Sequence, residues 1–263
     1  MQLFKIATGT MSGRSTSAEV EDRATAFRSR WQVARALPSG ALAREVMPMP
    51  TKQLQSRSGI GDMTRLTIAT RIEEACRGRG EDRIAVVDSN HKLIVVADGA
   101  GGVAGGATAA EAICQALIGD VNDWTTWLAQ QDVRLAEKGT GMAAAIVLSI
   151  SDDGEVRGAS VGDCEAWVFG QGEPVNLTAG QVRKPLLGDG TAVPTSFIAP
   201  PSGGTLIVAT DGLWKYMSRA RIAEASAMRP LEAALAALVD GVRLRSGALQ
   251  DDVAIVMCAV NGA

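Results

Sequence analysis

A single histidine in 263 residues denies this chain two common kinds of active site. Histidine-rich zinc centres and Ser-His-Asp triads both need imidazoles that the sequence does not supply. His91 itself stands in Asp88-Ser89-Asn90-His91, which has the composition of a hairpin turn, so it is expected to be exposed and inert. Cysteine is equally sparse. Cys76, Cys114, Cys164 and Cys258 are far apart, without the spacing of a metal finger or a redox motif, and are expected to be isolated buried thiols. Long apolar runs are missing as well: none reaches eighteen residues, which argues against a membrane span. The first ten residues lack the apolar stretch of a secretory signal, so the expected location is the cytoplasm. No basic stripe with interleaved aromatics runs through the body of the chain, and nucleic acid is not an expected partner.

What is present fits one sizeable folded core, with 46% apolar and 21% charged residues. The net charge of -3 hides an asymmetry. Residues 1–62 carry nine Lys or Arg against five acids, about +4, whereas the remainder carries seventeen against twenty-four, about -7. The first stretch mixes Ser, Gly, Pro, Met and Arg, and reads as a loosely ordered leader. One patch within it, Val20, Ala24, Phe27, Trp31 and Ala34, has helical spacing and could form a short amphipathic helix. A single domain is expected over residues 63–263.

That domain opens with the near-alternating strand Arg65 to Thr70. Arg83 to Val87 and Lys92 to Ala97 flank the turn at residues 88–91 and read as an antiparallel hairpin. Two helical stretches follow, Ala107 to Ile118 and Trp124 to Glu137, the second broken in its periodicity by Gln130, Gln131 and Asp132. Met142 to Ser151, Val156 to Val161 and Glu165 to Phe169 then form a β-meander. An irregular stretch containing Pro185, Pro194, Pro200 and Pro201 precedes a strand at Thr205 to Thr210. Helices near Arg219 to Met228 and Leu231 to Leu244 come next, and Asp252 to Val260 closes the chain as a strand. Hairpin-linked strands with helices inserted in pairs predict an α+β fold, a four-layer α-β-β-α sandwich with two antiparallel sheets.

The chemistry is concentrated where strand runs meet acids. Ile94 to Ala97 runs into Asp98-Gly99, Leu206 to Thr210 runs into Asp211-Gly212, and Asp251-Asp252 precedes Val253 to Val256. A fourth pair, Glu81-Asp82, precedes Arg83 to Val87. Carboxylates gathered at one sheet edge repel one another and resist desolvation, so convergence requires cations. All-oxygen donors select hard ions such as Mg²⁺ or Mn²⁺. An Asp-Gly pair taken singly is an ordinary turn, but both pairs here are followed by helix-like sequence rather than a partner strand. Glycine also permits the close backbone approach that would let a main-chain carbonyl serve as a ligand, most readily at Gly99.

Six motifs in order then carry a resemblance. Arg77-Gly78-Arg79-Gly80-Glu81-Asp82, Val96 to Gly102, Gly139-Thr140-Gly141-Met142-Ala143-Ala144, Val161-Gly162-Asp163-Cys164, Ala209 to Trp214 and Asp251-Asp252-Val253-Ala254 resemble the successive signatures of the PPM, or type 2C, metal-dependent protein serine/threonine phosphatases of the bacterial type. The resemblance spans about Thr64 to Val260. It implies two Mn²⁺ or Mg²⁺ ions, with Asp98 bridging both, the Gly99 carbonyl on one, Asp211 and Asp251 on the other, and Glu81 acting through bound water. Asp98, Asp211 and Asp251 would be the catalytic set, and Arg77 would grip the substrate phosphate with its planar guanidinium. Asp163 would be structural. In-line attack by a metal-activated water needs no protein nucleophile, so the shortage of histidine and of an activated cysteine costs nothing. Implied partners are phosphorylated protein substrates of a serine/threonine kinase, with the enzyme a monomer.

The chain also departs from that pattern. Ala100 stands where histidine or methionine is frequent, which removes one general acid, and Met142 and Ala143 replace the usual threonines. Glu137-Lys138 replaces the aspartate that would serve a third metal, which argues against a third ion. Glu165 stands where relatives often have arginine. Two rival readings remain. Gly99-Ala100-Gly101-Gly102-Val103-Ala104 satisfies a dinucleotide fingerprint, although Asp98 would then face the pyrophosphate and no second strand precedes Asp120. A non-catalytic relative that binds a phosphoprotein is the stronger rival, but such a module has no physical need for mutually repelling carboxylates.

Overall fold

The computed structural model describes residues 33–34, 65–88, 91–101, 105–119, 121–201 and 203–261. Contacts divide the chain into two units, Met1–Gln32 and Val33–Ala263, and the first lies outside the described residues. So does the expected boundary between leader and domain at residues 62–63, together with most of the helical patch. The end of that patch is a strand: Val33 and Ala34 pair with Ala85 and Ile84. A β-branched residue in register with a sheet edge prevails there over helical spacing.

Two antiparallel sheets form the middle of the molecule. The first has six strands in the order β1 (Val33–Ala34), β3 (Arg83–Asp88), β4 (Lys92–Gly99), β5 (Ala143–Ile150), β6 (Val156–Val161) and β9 (Thr195–Ala199). The second has five, in the order β2 (Arg65–Glu73), β11 (Val253–Asn261), β10 (Thr205–Ala209), β7 (Glu165–Phe169) and β8 (Val175–Asn176). Helices α1 (Gly106–Ala116) and α2 (Trp124–Lys138) pack on the first sheet through β4 and β6. On the second lie α3 (Asp211–Trp214), α4 (Arg219–Ser226) and α5 (Leu231–Val242), with α5 against β2 and β11. The expected four-layer α-β-β-α sandwich is therefore present.

Burial on both faces explains the apolar runs. In β10, Leu206 and Val208 join Ile94, Val96, Ile146, Leu148, Ala254 and Val256 in the core between the sheets. The alternate residues Ile207 and Ala209 pack with Ile255 and Met257 against Leu213, Trp214, Ile222, Leu235 and Leu238 of the helical layer. Each fully buried Leu or Ile contributes about 2 kcal/mol relative to exposure, so this double core is what holds the strand ends in place. No helix among the described residues is long and apolar enough to cross a membrane.

The break in the periodicity of α2 has a structural cause. Asp123 caps the helix by accepting from the Thr125 N–H at 2.9 Å, and Gly139 ends it in the left-handed region at φ 59°. Between them Asp132 is buried and accepts the N–H groups of Gly188, Gly190 and Ala192 at 2.7, 2.9 and 2.9 Å. One carboxylate thus anchors the loop that leads to β9. That strand lies in the stretch expected to be irregular. It is an edge strand with Pro194 before it and Pro200 after it, a position where a missing N–H is tolerated.

Asp132→Ala is expected to destabilise the protein by about 3 kcal/mol, because three backbone donors lose a buried, charged acceptor. Asp132→Asn, which keeps the shape and one acceptor oxygen, should cost less. Urea denaturation measures both, and an Asp132→Ala midpoint equal to wild type would show that the loop is held by something else.

Candidate metal centre

Antiparallel register decides which strand ends meet. β3 begins opposite the end of β4, with Arg83 facing Ala97, and β5 begins there too, with Ala143 facing Gly99. β6 ends alongside, with Val161 facing Ala145. Instead of continuing the expected meander, the chain then crosses to the other sheet through Gly162-Asp163-Cys164 and starts β7, which pairs with β10 and β8. In that sheet Ala209, at the end of β10, faces both Glu165 and Ile255. Asp82, Asp98, Asp163, Asp211, Asp251 and Asp252 consequently flank strand ends along one edge of the sandwich.

Two glycines make the close approach possible. Gly162 turns at φ 96°, and a Cβ there would fall 2.3 Å from the Ala144 Cβ. At Gly212 a Cβ would lie 1.9 Å from the Asp252 carbonyl oxygen, so α3 can begin directly against the start of β11. That contact brings Asp211 beside the Asp251-Asp252 pair.

Asp98, Asp163 and Asp211 each place a carboxylate oxygen within 4.8 Å of the other two. Asp211 is buried and the other two half-buried. Burial, then the charges of Asp211, Asp163 and Asp251, push the Asp98 carboxyl up to about 8, with Lys215 pulling the other way. Asp163 and Asp251 are raised for the same two reasons, burial first and the Asp211 charge second. Asp82 is more deeply buried, and desolvation followed by the Asp98 charge lifts it well above its usual range. The Thr210 hydroxyl counters this by donating to Asp82 Oδ2 at 2.7 Å while accepting from the Ala254 N–H at 3.0 Å. Three strand ends are tied together by that one side chain.

The expected site residues are thus partly gathered. Asp98 and Asp211 stand in the close trio, and Asp251 acts on both through its charge without belonging to it. Gly99 is buried at the end of β4, its N–H donating to the Glu81 carbonyl at 3.3 Å. The Glu81 carboxylate lies at the N-terminus of α1, where an added Gly106 Cβ would fall 2.6 Å from its Oε1. Arg77 is exposed in the loop between β2 and β3. Asp252 fastens that loop to β11 by accepting the N–H groups of Ala75 at 2.8 Å and Glu81 at 2.7 Å.

Asp163, expected to be structural, lies close to Asp98 and Asp211 in the trio. The signal for it was present, since it follows the end of a strand run just as Asp98 and Asp211 do. Lys215 and Thr210 have no expected role in the sequence pattern. Lys215 pairs with Asp211 at a spacing of four residues. Partial burial lowers the Lys215 ammonium, but Asp211, Asp251 and Asp163 more than offset this and raise it on balance. Glu165 has exchanged its expected charge for a matching partner: it accepts from Trp167 Nε1 at 2.6 Å and Arg219 Nη2 at 3.1 Å. The Arg219 guanidinium lies 4.5 and 4.8 Å from the Trp167 and Trp214 ring centroids, and Trp214 Nε1 donates to the Ala209 carbonyl at 2.9 Å. This assembly locks α3 to the end of β10.

Half-desolvated carboxylates that repel one another and offer only oxygen suit a hard divalent cation and little else. The donor set therefore fits the metal that the sequence implies.

The family model for stage II sporulation protein E (SpoIIE) matches residues 88–261, and the chain belongs to this family of PPM-type phosphatases. Solved structures agree in fold. A bacterial serine phosphatase superposes with a TM-score of 0.64 at 16% identity, over 76% of this chain and 99% of that one. The serine/threonine phosphatase PstP/Ppp of Mycobacterium tuberculosis gives 0.61 at 20% identity, over 75% and 99%. Stp1 of Staphylococcus aureus gives 0.62 at 16% identity, over 79% and 99%. At such identities the likeness is one of fold. No curated protein matches the chain.

The raised Asp98 carboxyl has a consequence in metal-free protein. Between its ordinary value of 3.8 and about 8, folded protein holds a proton that unfolded chain has lost. Folded-state stability therefore falls as pH rises through this window. Melting in EDTA from pH 5 to 8 should show that decline, and Asp98→Asn should flatten it; an equal slope in the variant would show that Asp98 titrates normally.

Proposed function

We propose that the chain is a metal-dependent protein phosphatase that hydrolyses phosphoserine and phosphothreonine in proteins, acting as a cytoplasmic monomer. One observation carries the reading: Asp98, Asp163 and Asp211, distant in sequence, bring their carboxylates within 4.8 Å at the shared edge of two sheets. A related fold supports the metal, since the catalytic domain of PstP, 20% identical with a TM-score of 0.61 over 74% of this chain and 98% of that one, was solved in complex with two manganese ions.

Two Mn²⁺ or Mg²⁺ ions would be held by Asp98, the Gly99 carbonyl and, through water, Glu81. Asp211 and Asp251 would complete the set of oxygen donors. When bound, the ions supply Lewis acidity for the phosphoryl oxygens and for the attacking water. Asp82 and Thr210 keep the strand ends in register while that charge is accommodated. Arg77, in the loop that Asp252 fastens to β11, supplies paired donors for the substrate phosphate. Ala100 offers no proton, so the leaving group draws on no side chain at that position.

Manganese-dependent release of phosphate from phosphoserine and phosphothreonine peptides tests this directly. Asp98→Asn should lower turnover at least about a hundredfold while leaving the melting temperature of metal-free protein near or above wild type. Undiminished turnover in Asp98→Asn would remove the assignment. Absence of phosphate release by metal-loaded wild type, with retained binding of a phosphoprotein, would favour the non-catalytic alternative.

A further inference from the structure

The carboxylate cluster contains a cation of its own. Asp211 opens α3, and the Lys215 N–H donates to the Asp211 carbonyl at 2.9 Å, which sets both side chains on one face a single turn apart. The Lys215 ammonium pairs with Asp211 Oδ2. Asp211 is 12% exposed at its side chain and Lys215 49%, so the lysine enters the cluster from solvent along a flexible stem. Three further acids face it from other elements: Asp98 from the end of β4, Asp163 from the crossing between β6 and β7, and Asp251 from the start of β11. Arg183 acts on Asp163 from the loop after β8. Lys215 therefore pairs with one, and feels the charge of the others, of the carboxylates that a divalent cation needs.

An ammonium on one carboxylate oxygen neutralises part of the charge that a metal ion would use. A dication arriving on Asp211 also repels the lysine, and this repulsion survives solvent screening because the two charges are neighbours and Asp211 is buried. We propose that Lys215 is a built-in counter-ion that competes with divalent metal for Asp211 and so sets the metal concentration at which the site fills. The proposal rests on the reading of the cluster as a divalent-cation site. It adds that the metal-free cluster is braced by its own lysine, which loading displaces toward solvent. Its four-carbon stem and half-exposed position permit that displacement without disturbing α3.

The test is a calorimetric titration of the full chain with Mn²⁺ alone, without substrate, in wild type, Lys215→Gln and Lys215→Arg. Lys215→Gln should bind Mn²⁺ more tightly, on the order of tenfold, because a neutral amide neither occupies the carboxylate as an ion nor repels the metal. Lys215→Arg, which keeps the charge, should stay at the wild-type affinity. In EDTA the melting temperature of Lys215→Gln should fall below wild type, and its rise on saturation with Mn²⁺ should be larger. Equal or weaker Mn²⁺ affinity in Lys215→Gln, with wild type binding normally, overturns the proposal while leaving the phosphatase reading intact. An equal gain in Lys215→Arg also overturns it. Failure of wild type to bind Mn²⁺ at all removes both the proposal and the metal reading.

Discussion

Mutual repulsion among carboxylates at one edge is the constraint around which this molecule is built. Asp98, Asp163 and Asp211 sit within 4.8 Å of one another, and Asp82 and Asp251 add their charges from alongside. Left to themselves such groups would open the sandwich at that edge. The opposing force is apolar: β4, β10 and β11 are buried on both faces, so prising their ends apart would expose core residues on two sides at once. Smaller devices relieve the repulsion locally. Thr210 donates to Asp82, backbone N–H groups donate to Asp252, and Lys215 pairs with Asp211.

Each device also does geometric work. Thr210 links β10, β11 and the residue before β3 through two hydrogen bonds on one oxygen. Asp252 draws the Arg77 loop onto the start of β11. The Glu165–Arg219 pair stacks on Trp167 and Trp214 and fixes the short helix that presents Asp211. Four residues make a weak helix in isolation, so α3 depends on these tertiary contacts rather than on its own propensity. The departure of Glu165 from the family's usual arginine is thus accommodated by a charge partner on α4.

Much of the fold was readable because the strands obey a simple rule. Burial on both faces gives continuous apolar runs at β4, β10 and β11, and turn residues punctuate them, so the hairpins and the four layers followed from the pattern. What escaped lacks that pattern. β9 is five residues flanked by prolines, β8 and β1 are two residues each, and α3 is a single turn; their existence depends on neighbours distant in sequence. The same division holds at the site. Asp98, Asp211 and Asp251 were visible as acids at strand ends. Asp163 obeys the same rule, although the resemblance assigns it a structural role, and Lys215 becomes a neighbour of Asp211 only through a turn of helix.

Two kinds of order therefore meet at the candidate centre. The acids that would hold metal are placed by strand register, which a one-residue slip would overturn completely, since alternate residues face opposite sides. The group that would meet substrate is placed otherwise: Arg77 lies on an exposed loop that Asp252 ties to the start of β11, much as the Gly188 to Ala192 segment hangs from Asp132. Metal chemistry tolerates little displacement of its ligands, whereas recognition of differing phosphoproteins benefits from loops whose sequence can change without disturbing a core. Anchoring each loop through an aspartate to backbone N–H groups satisfies both demands. The anchor constrains only main chain and leaves the loop side chains free to vary.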